Sequence, residues 1–241
     1  MTMSDCAIDI QQVIYDYQSE TFHFDLQVER GSTMALMGPS GSGKSTLLSL
    51  IAGFIEPKQG KINVDGLSVI GLQPHQRPLA MLFQEHNLFS HLTVRQNIGL
   101  GLHPGLKLTN QQKQQVGEAA QQVGIVELLD RLPEQLSGGQ RQRVALARCF
   151  VQPHSIWLLD EPFSALDPIL RQEMLSLVSN LAKDRNITVL MVTHHLSDAK
   201  SIGSHFAFME QGKVTVCDRI SHLTQESTNA HLRAFLKASG N

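Results

Sequence analysis

In TFHFDLQVE, residues 21–29, every second position is apolar. Phe22, Phe24, Leu26 and Val28 fall on one face, so the segment predicts a strand buried on that face alone. TMALMG, residues 33–38, is a short unbroken apolar run, which suits a strand covered on both faces. Lys44 to Phe54 predicts a helix closed by the Glu56–Pro57 boundary, because the residue before a proline is steered away from helical geometry. GKINVDG and RPLAMLF predict further strands. From about Gln84 to Leu136 the apolar positions become helically spaced. Within the glutamine-rich NQQKQQVGEAAQQ, Val116, Ala119 and Ala120, continued by Val123, mark one face of a solvated amphipathic helix rather than a disordered tract. SIWLLD predicts a buried strand. A helix beginning near Pro168 carries Ile169, Leu170, Met174, Leu177, Val178 and Leu181, and ITVLMVTH predicts another strand. Strands alternating with helices imply an α/β fold, a parallel sheet sandwiched by helices, with the helical stretch in the middle as an insertion.

Composition narrows this picture rather than changing it. The chain has 241 residues, 41% hydrophobic and 17% charged, with a formal net charge of −2, so no global basic field points to nucleic acid. Cys6, Cys149 and Cys217 are far apart, odd in number and without a C-x-x-C pair, which reads as a reduced set and not a disulfide or metal framework. The opening MTMSDCAIDIQQ has neither a basic nor an apolar signal region, and no apolar run approaches the roughly 18 residues of a membrane span. Any membrane role is therefore expected to run through a partner.

The candidate chemistry begins with GPSGSGKST, residues 38–46. Gly38, Gly43, Lys44 and Ser45 satisfy the G-x-x-x-x-G-K-[ST] pattern between a predicted buried strand and a predicted helix. That context aims backbone N–H groups and a helix N-terminus at a phosphate chain, while Gly41 and Gly43 let the backbone curl. Lys44 would reach the β- and γ-phosphates and the Ser45 hydroxyl would sit on Mg²⁺, so the expected ligand is a nucleoside triphosphate.

Two further stretches extend the site. SIWLLDEP delivers Asp160 to the C-terminal end of a strand, where it can hold Mg²⁺ through its water shell while Glu161 polarises the attacking water. In LSGGQRQRVALAR, Ser137 is a plausible N-cap, and the glycines leave the following N–H groups bare. This is a second anion site, and one nucleotide does not need two from one chain, which suggests sharing between chains. An ordinary capped helix with a basic face of Arg141, Arg143 and Arg148 remains open at this point.

In their order along the chain, GPSGSGKST, LFQE, LSGGQ, LLDEP, SALD and VTH resemble the ATP-binding subunits of ABC transporters over essentially the full length. The resemblance implies one domain over residues 1–241. It would have a P-loop core with a mixed and largely parallel sheet, an N-terminal antiparallel β portion, a helical subdomain inserted at about 85–150, and no separate C-terminal regulatory domain. It further implies two copies packed head to tail, each ATP lying between the phosphate loop of one and the signature of the other. By that resemblance Gly38, Pro39, Ser40, Gly41, Ser42, Gly43, Lys44, Ser45 and Thr46 hold phosphates. Ser137, Gly138, Gly139 and Gln140 serve the partner's nucleotide, and Asp167 contacts the opposite site. Gln84 senses Mg²⁺ and water, Glu161 is the catalytic base and His194 the switch on the γ-phosphate. Strand alternation cannot separate Tyr15 from Tyr17 as the residue stacked on adenine, and the family spacing selects Tyr17. Alternation also points adjacent His194 and His195 to opposite faces, and VTH selects His194.

The resemblance implies membrane permease subunits docking near Gln84 and the inserted helices, where Leu88, Phe89 and Leu92 would give apolar contact. A periplasmic substrate-binding protein would act indirectly, and the chain would sit peripherally on the cytoplasmic face of a bacterial inner membrane. MLFQEHNLFSHLTVRQNIGLGLHPGLKL and EPFSALDPILRQEML resemble the ATP-binding subunits of bacterial thiamine importers. Thiamine or its phosphates is thus the expected cargo, with iron(III) or another small nutrient as the alternative and a soluble non-transport ATPase behind that.

Overall fold

The computed structural model describes residues 6–85, 87–224 and 227–239. Strands β1 (Cys6–Tyr17) and β2 (Glu20–Glu29) form an antiparallel hairpin, and β2 buries Phe22, Phe24, Leu26 and Val28 while its other face stays exposed. All five residues of β3 (Thr33–Met37) are buried, matching the unbroken apolar run. Helix α1 (Lys44–Ala52) stops two residues short of the predicted Phe54 end. Gly53 takes φ 83° and its N–H caps the carbonyls of Ser49 and Leu50, so the glycine and not the downstream proline ends the helix. Strands β4 (Gln59–Val64), β5 (Leu67–Ser68) and β6 (Ala80–Leu82) follow.

Between β6 and the next strand lie helices α2 (Val94–Gly99), α3 (Asn110–Gln122) and α4 (Gly138–Phe150), each opened by a capping box on Thr93, Thr109 and Ser137. On α3 the glutamines face solvent, while Val116, Ala119 and Ala120, with Val123 just beyond, are buried. Strand β7 (Ile156–Asp160), helix α5 (Pro168–Asp184), strand β8 (Thr188–Val192), helix α6 (Leu196–Ile202), strands β9 (His205–Glu210) and β10 (Lys213–Arg219), and helix α7 (Ala230–Ser239) complete the chain. On α5 the buried stripe is Met174, Leu175, Val178, Leu181 and Ala182. Ile169, expected on the apolar face, is 76% exposed in the first turn, off that stripe.

The strands form one sheet ordered β5-β4-β1-β2-β10-β9-β3-β8-β7-β6. β6, β7, β8, β3 and β9 run parallel, while β1, β2, β4 and β5 form an antiparallel wing. The wing joins the rest through a single β2–β10 register pair, His23 with Lys213. The sheet is therefore mixed α/β, as the sequence predicts. β3, β8 and β7 are neighbours, so whatever follows their C-terminal ends converges on one edge, the place where open α/β sheets bind ligands.

Three apolar clusters hold the layers. One packs α2 to α5 against β6, β7 and β8, with Phe150 stacked on Trp157 at 5.1 Å. The second lies between α1 and the opposite faces of the sheet and wing, and the third joins Phe206 and Phe208 to Leu232 and Leu236 of α7. Among the described residues no helix is long and apolar enough to cross a membrane.

Candidate functional site

β3 feeds directly into the loop 38–43, in which Gly38, Gly41 and Gly43 adopt φ of 146°, 78° and 98°. These are left-handed values that glycine reaches without steric cost. Gly43 has a second requirement, since a Cβ there would stand 2.7 Å from the Phe22 ring. Its residue type also leaves α1 without a side-chain cap, so the first-turn N–H groups of Lys44 and its successors are available to an anion. Lys44 is buried, and its Nζ donates to the carbonyls of Gly38 (2.9 Å) and Pro39 (2.8 Å) and to Ser42 Oγ (3.4 Å). Burial pushes its pKa below the usual lysine range, against the opposing pull of Glu161 and Asp160.

Above this loop opens a cleft of about 390 Å³. Tyr17 walls it from the β1–β2 wing, Ser40, Gly41 and Gly43 to Thr46 form its floor, and Gln84, Glu161 and His194 close the far side. Tyr15 and Tyr17 separate here. Tyr15 packs against the apolar cluster that contains Phe22 and Phe24, whereas Tyr17 is 56% exposed at the cleft.

β7 and β8 supply the charged groups. Asp160, the last residue of β7, is 5% exposed, and its Oδ1 has no hydrogen-bond partner among the described residues. Burial raises its pKa, opposed by a hydrogen bond from Ser45 and by the Lys44 charge, while Glu161 adds to the rise. An orphaned carboxylate oxygen beside a serine hydroxyl fits a hard divalent cation that keeps most of its water. Among the described residues no three His, Cys, Asp or Glu side chains cluster as a fuller metal cage.

Glu161 follows at φ 48°, a left-handed conformation for a non-glycine residue, and its Oε1 accepts from His194 Nε2 at 2.7 Å. His194 and His195 do not alternate across a strand as expected. β8 ends at Val192, and His195 already stands at the start of α6 with its N–H donating to Thr193 Oγ1 at 3.1 Å. His194 lines the cleft and His195 does not; both line a narrow adjoining crevice with Arg171 and Asp198.

The other candidates stand apart from the cleft. Ser137 caps α4 by accepting from Gln140 N–H at 3.2 Å, and the exposed Asp167 caps α5 by accepting from the N–H groups of Ile169 and Leu170. Gly138 and Gly139 abut Ala165, so the start of α4 rests on the segment between Glu161 and Asp167. The three arginines of α4 are half-buried and anchored on the chain itself. Arg141, Arg143 and Arg148 donate to the backbone carbonyls of Leu136, of Val123 and Gly124, and of Asn87 respectively.

Sequence reasoning missed Gln142 and Asn97, both fully buried. Asn97 fastens the segment before α2 by accepting from Phe89 N–H and donating to the carbonyls of Phe89, Leu92 and Thr93. That segment presents Phe89 half exposed, while Leu88 packs inward. The available signal for Gln142 was its place on the stripe of Ala145, Leu146 and Cys149, a polar residue on an apolar helix face.

With this geometry in hand, comparison with known proteins is specific. The family model described as ABC transporter matches residues 22–164. The Thiamine import ATP-binding protein ThiQ of Vibrio parahaemolyticus is 68% identical over 231 residues, covering 96% of this chain and 99% of that protein. Its Vibrio cholerae counterpart is 66% identical over 232 residues, with 96% and 98% covered. A dimeric post-hydrolysis structure of the ATP-binding cassette MJ0796 bound to ADP and Pi superposes with a TM-score of 0.81 at 27% identity, covering 88% of this chain and 98% of that one. The loop beneath the cleft, the strand ends above it and these matches lead to one conclusion: the chain belongs to the ABC transporter family.

Proposed function

We propose that this chain is the ATP-binding and ATP-hydrolysing subunit of an importer that takes up thiamine, or thiamine phosphates, across a bacterial inner membrane. It would work peripherally on the cytoplasmic face. The observation that carries the activity is the meeting of Lys44, Glu161 and His194 in one cleft over the glycine loop. Tyr17 stacks on the adenine, and residues 38–46 wrap the phosphates with backbone N–H groups. Lys44 exchanges the carbonyls of Gly38 and Pro39 for β- and γ-phosphate oxygens. Ser45, Asp160 and Gln84 would hold Mg²⁺, which would supply charge neutralisation across the phosphates. Glu161 orients and deprotonates the attacking water, and His194 holds both the Glu161 carboxylate and a γ-phosphate oxygen.

Ser137 to Gln140 and Asp167 lie off their own chain's cleft. This supports a head-to-tail pair in which the Ser137-capped, glycine-lined N-terminus of α4 meets the ATP of the other copy, and a related cassette is dimeric. Greater affinity of the closed pair for ATP would drive paired membrane subunits, seated around Phe89 and Gln84, toward their other conformation. A periplasmic substrate-binding protein would present the cargo. The thiamine reading is supported by relatives 68% and 66% identical that are named for thiamine import.

The test is uptake of labelled thiamine in cells carrying Lys44→Ala or Glu161→Gln. Uptake is expected to collapse while that of an unrelated nutrient is unchanged. Persistent uptake, with no second thiamine system present, overturns the cargo and makes iron(III) the next candidate.

A further inference from the structure

The backbone of Glu161 sits at φ 48°, and a left-handed conformation at a non-glycine residue persists only where its surroundings over-determine it. Its N–H is fixed by the Val192 carbonyl at 3.1 Å. Its own carbonyl accepts from Ser164 Oγ at 3.2 Å, a surface group, and from Gln142 Nε2 at 3.1 Å. Gln142 is 0% exposed, and its Oε1 accepts from Ala165 N–H at 3.1 Å. One buried amide therefore spans the turn from Glu161 to Ala165, donating at one end and accepting at the other. It reaches that turn from α4, just over one helical turn beyond the Ser137 cap.

We propose that Gln142 is a positioning residue for ATP hydrolysis. It holds the Glu161 backbone in its left-handed conformation so that the carboxylate meets His194, and it ties the signature end of α4 to the base of the same chain. This rests on the reading of Glu161 as the base. Gln142 bonds to the Glu161–Ala165 turn and does not line the cleft over the phosphate loop, so its action is on turnover and not on nucleotide affinity.

The test compares the full-length protein with Gln142→Met, which conserves volume but removes both bonds. A second variant, Gln142→Glu, keeps the acceptor for Ala165 N–H and loses the donor to the Glu161 carbonyl. Both are expected to lower kcat by about 10- to 100-fold, the scale of a small misplacement of a reacting group, with ATP Kd within about twofold of the parent. Backbone hydrogen exchange over residues 161–166 is expected to quicken about tenfold in Gln142→Met and less in Gln142→Glu. In a Glu161→Gln background, ATP-driven dimerisation should survive Gln142→Met. A kcat within twofold of the parent, unchanged exchange, or a joint loss of ATP affinity and dimerisation would each overturn the proposal. A parent chain that does not hydrolyse ATP sinks the functional reading instead, and the exchange comparison still judges the role of Gln142.

Discussion

Nε2 of His194 lies 2.7 Å from Oε1 of Glu161, joining the residues that leave the C-terminal ends of the adjacent strands β8 and β7. Neither side chain is held by its own strand, so the contact fixes each against the other. Glu161→Gln and His194→Ala are each expected to cut the steady-state rate of phosphate release at least about 100-fold, the range of a general base and its orienting partner. ATP affinity should stay near the parent value. Because the two groups act as one unit, the double variant should lose little more than the worse single variant. Fully multiplicative losses would show that the contact does not matter.

Gly43 and Gly41 both take positive φ, but only Gly43 has the Phe22 ring where a Cβ would go. Gly41→Ala is expected to cost about 1–2 kcal/mol, the left-handed backbone penalty alone. Gly43→Ala adds overpacking of about 1–3 kcal/mol and should be the more destabilised in urea unfolding. Equal midpoints would contradict the contact.

Asp160 gives a pH-dependent prediction. Burial raises its pKa above the ordinary 3.8, so the folded chain binds that proton more tightly than the unfolded chain. Its contribution to stability is complete below the ordinary value and is lost as pH rises through the raised one, leaving a buried charge as a net cost at about pH 7.5. Asp160→Asn should therefore raise Tm in metal-free buffer at about pH 7.5, with the gain shrinking in acid, while hydrolysis is lost. An unchanged or lower Tm at neutral pH would refute this.

The cysteines should differ in reactivity. Burial pushes the Cys149 thiol up to about 12; partial burial and the nearby Asp218 and Glu29 carboxylates also raise Cys217, which is nonetheless exposed, and Cys6 is partly exposed. Thiol titration of the native protein at about pH 8 should reach Cys6 and Cys217 and leave Cys149 untouched until denaturant is added.

Much of the fold was legible because local pattern and burial coincide. The alternation in β2, the unbroken runs of β3 and β7, and the stripe on α3 each name their buried face directly. The phosphate loop was legible for a different reason, since its glycines answer backbone needs written into one contiguous stretch. What stayed hidden depends on partners distant in sequence. Gln142 stands out only as a polar residue on the apolar face of α4, and its role stays hidden until Glu161 and Ala165 are brought beside it. The anchoring of Arg143 on the Val123 and Gly124 carbonyls and of Arg148 on the Asn87 carbonyl stayed hidden for the same reason. The His194–His195 alternation failed because it assumed that the strand continued beyond Val192, and only the fold reveals where β8 ends.

The cluster uniting Val116, Ala120, Val144 and Phe150 of the inserted helices with Trp157, Leu159 and Met191 of the sheet has no internal boundary. Helices α2 to α4 are thus not an appendage that relatives could trade intact. A graft of α3 and α4 from a relative would need the matching residues of β7, β8 and α5 to travel with it. Repacking beneath the surface that displays Phe89 therefore reaches strands that terminate at Asp160 and Val192, so a change made to suit a partner there is felt at the strand ends that carry the chemistry.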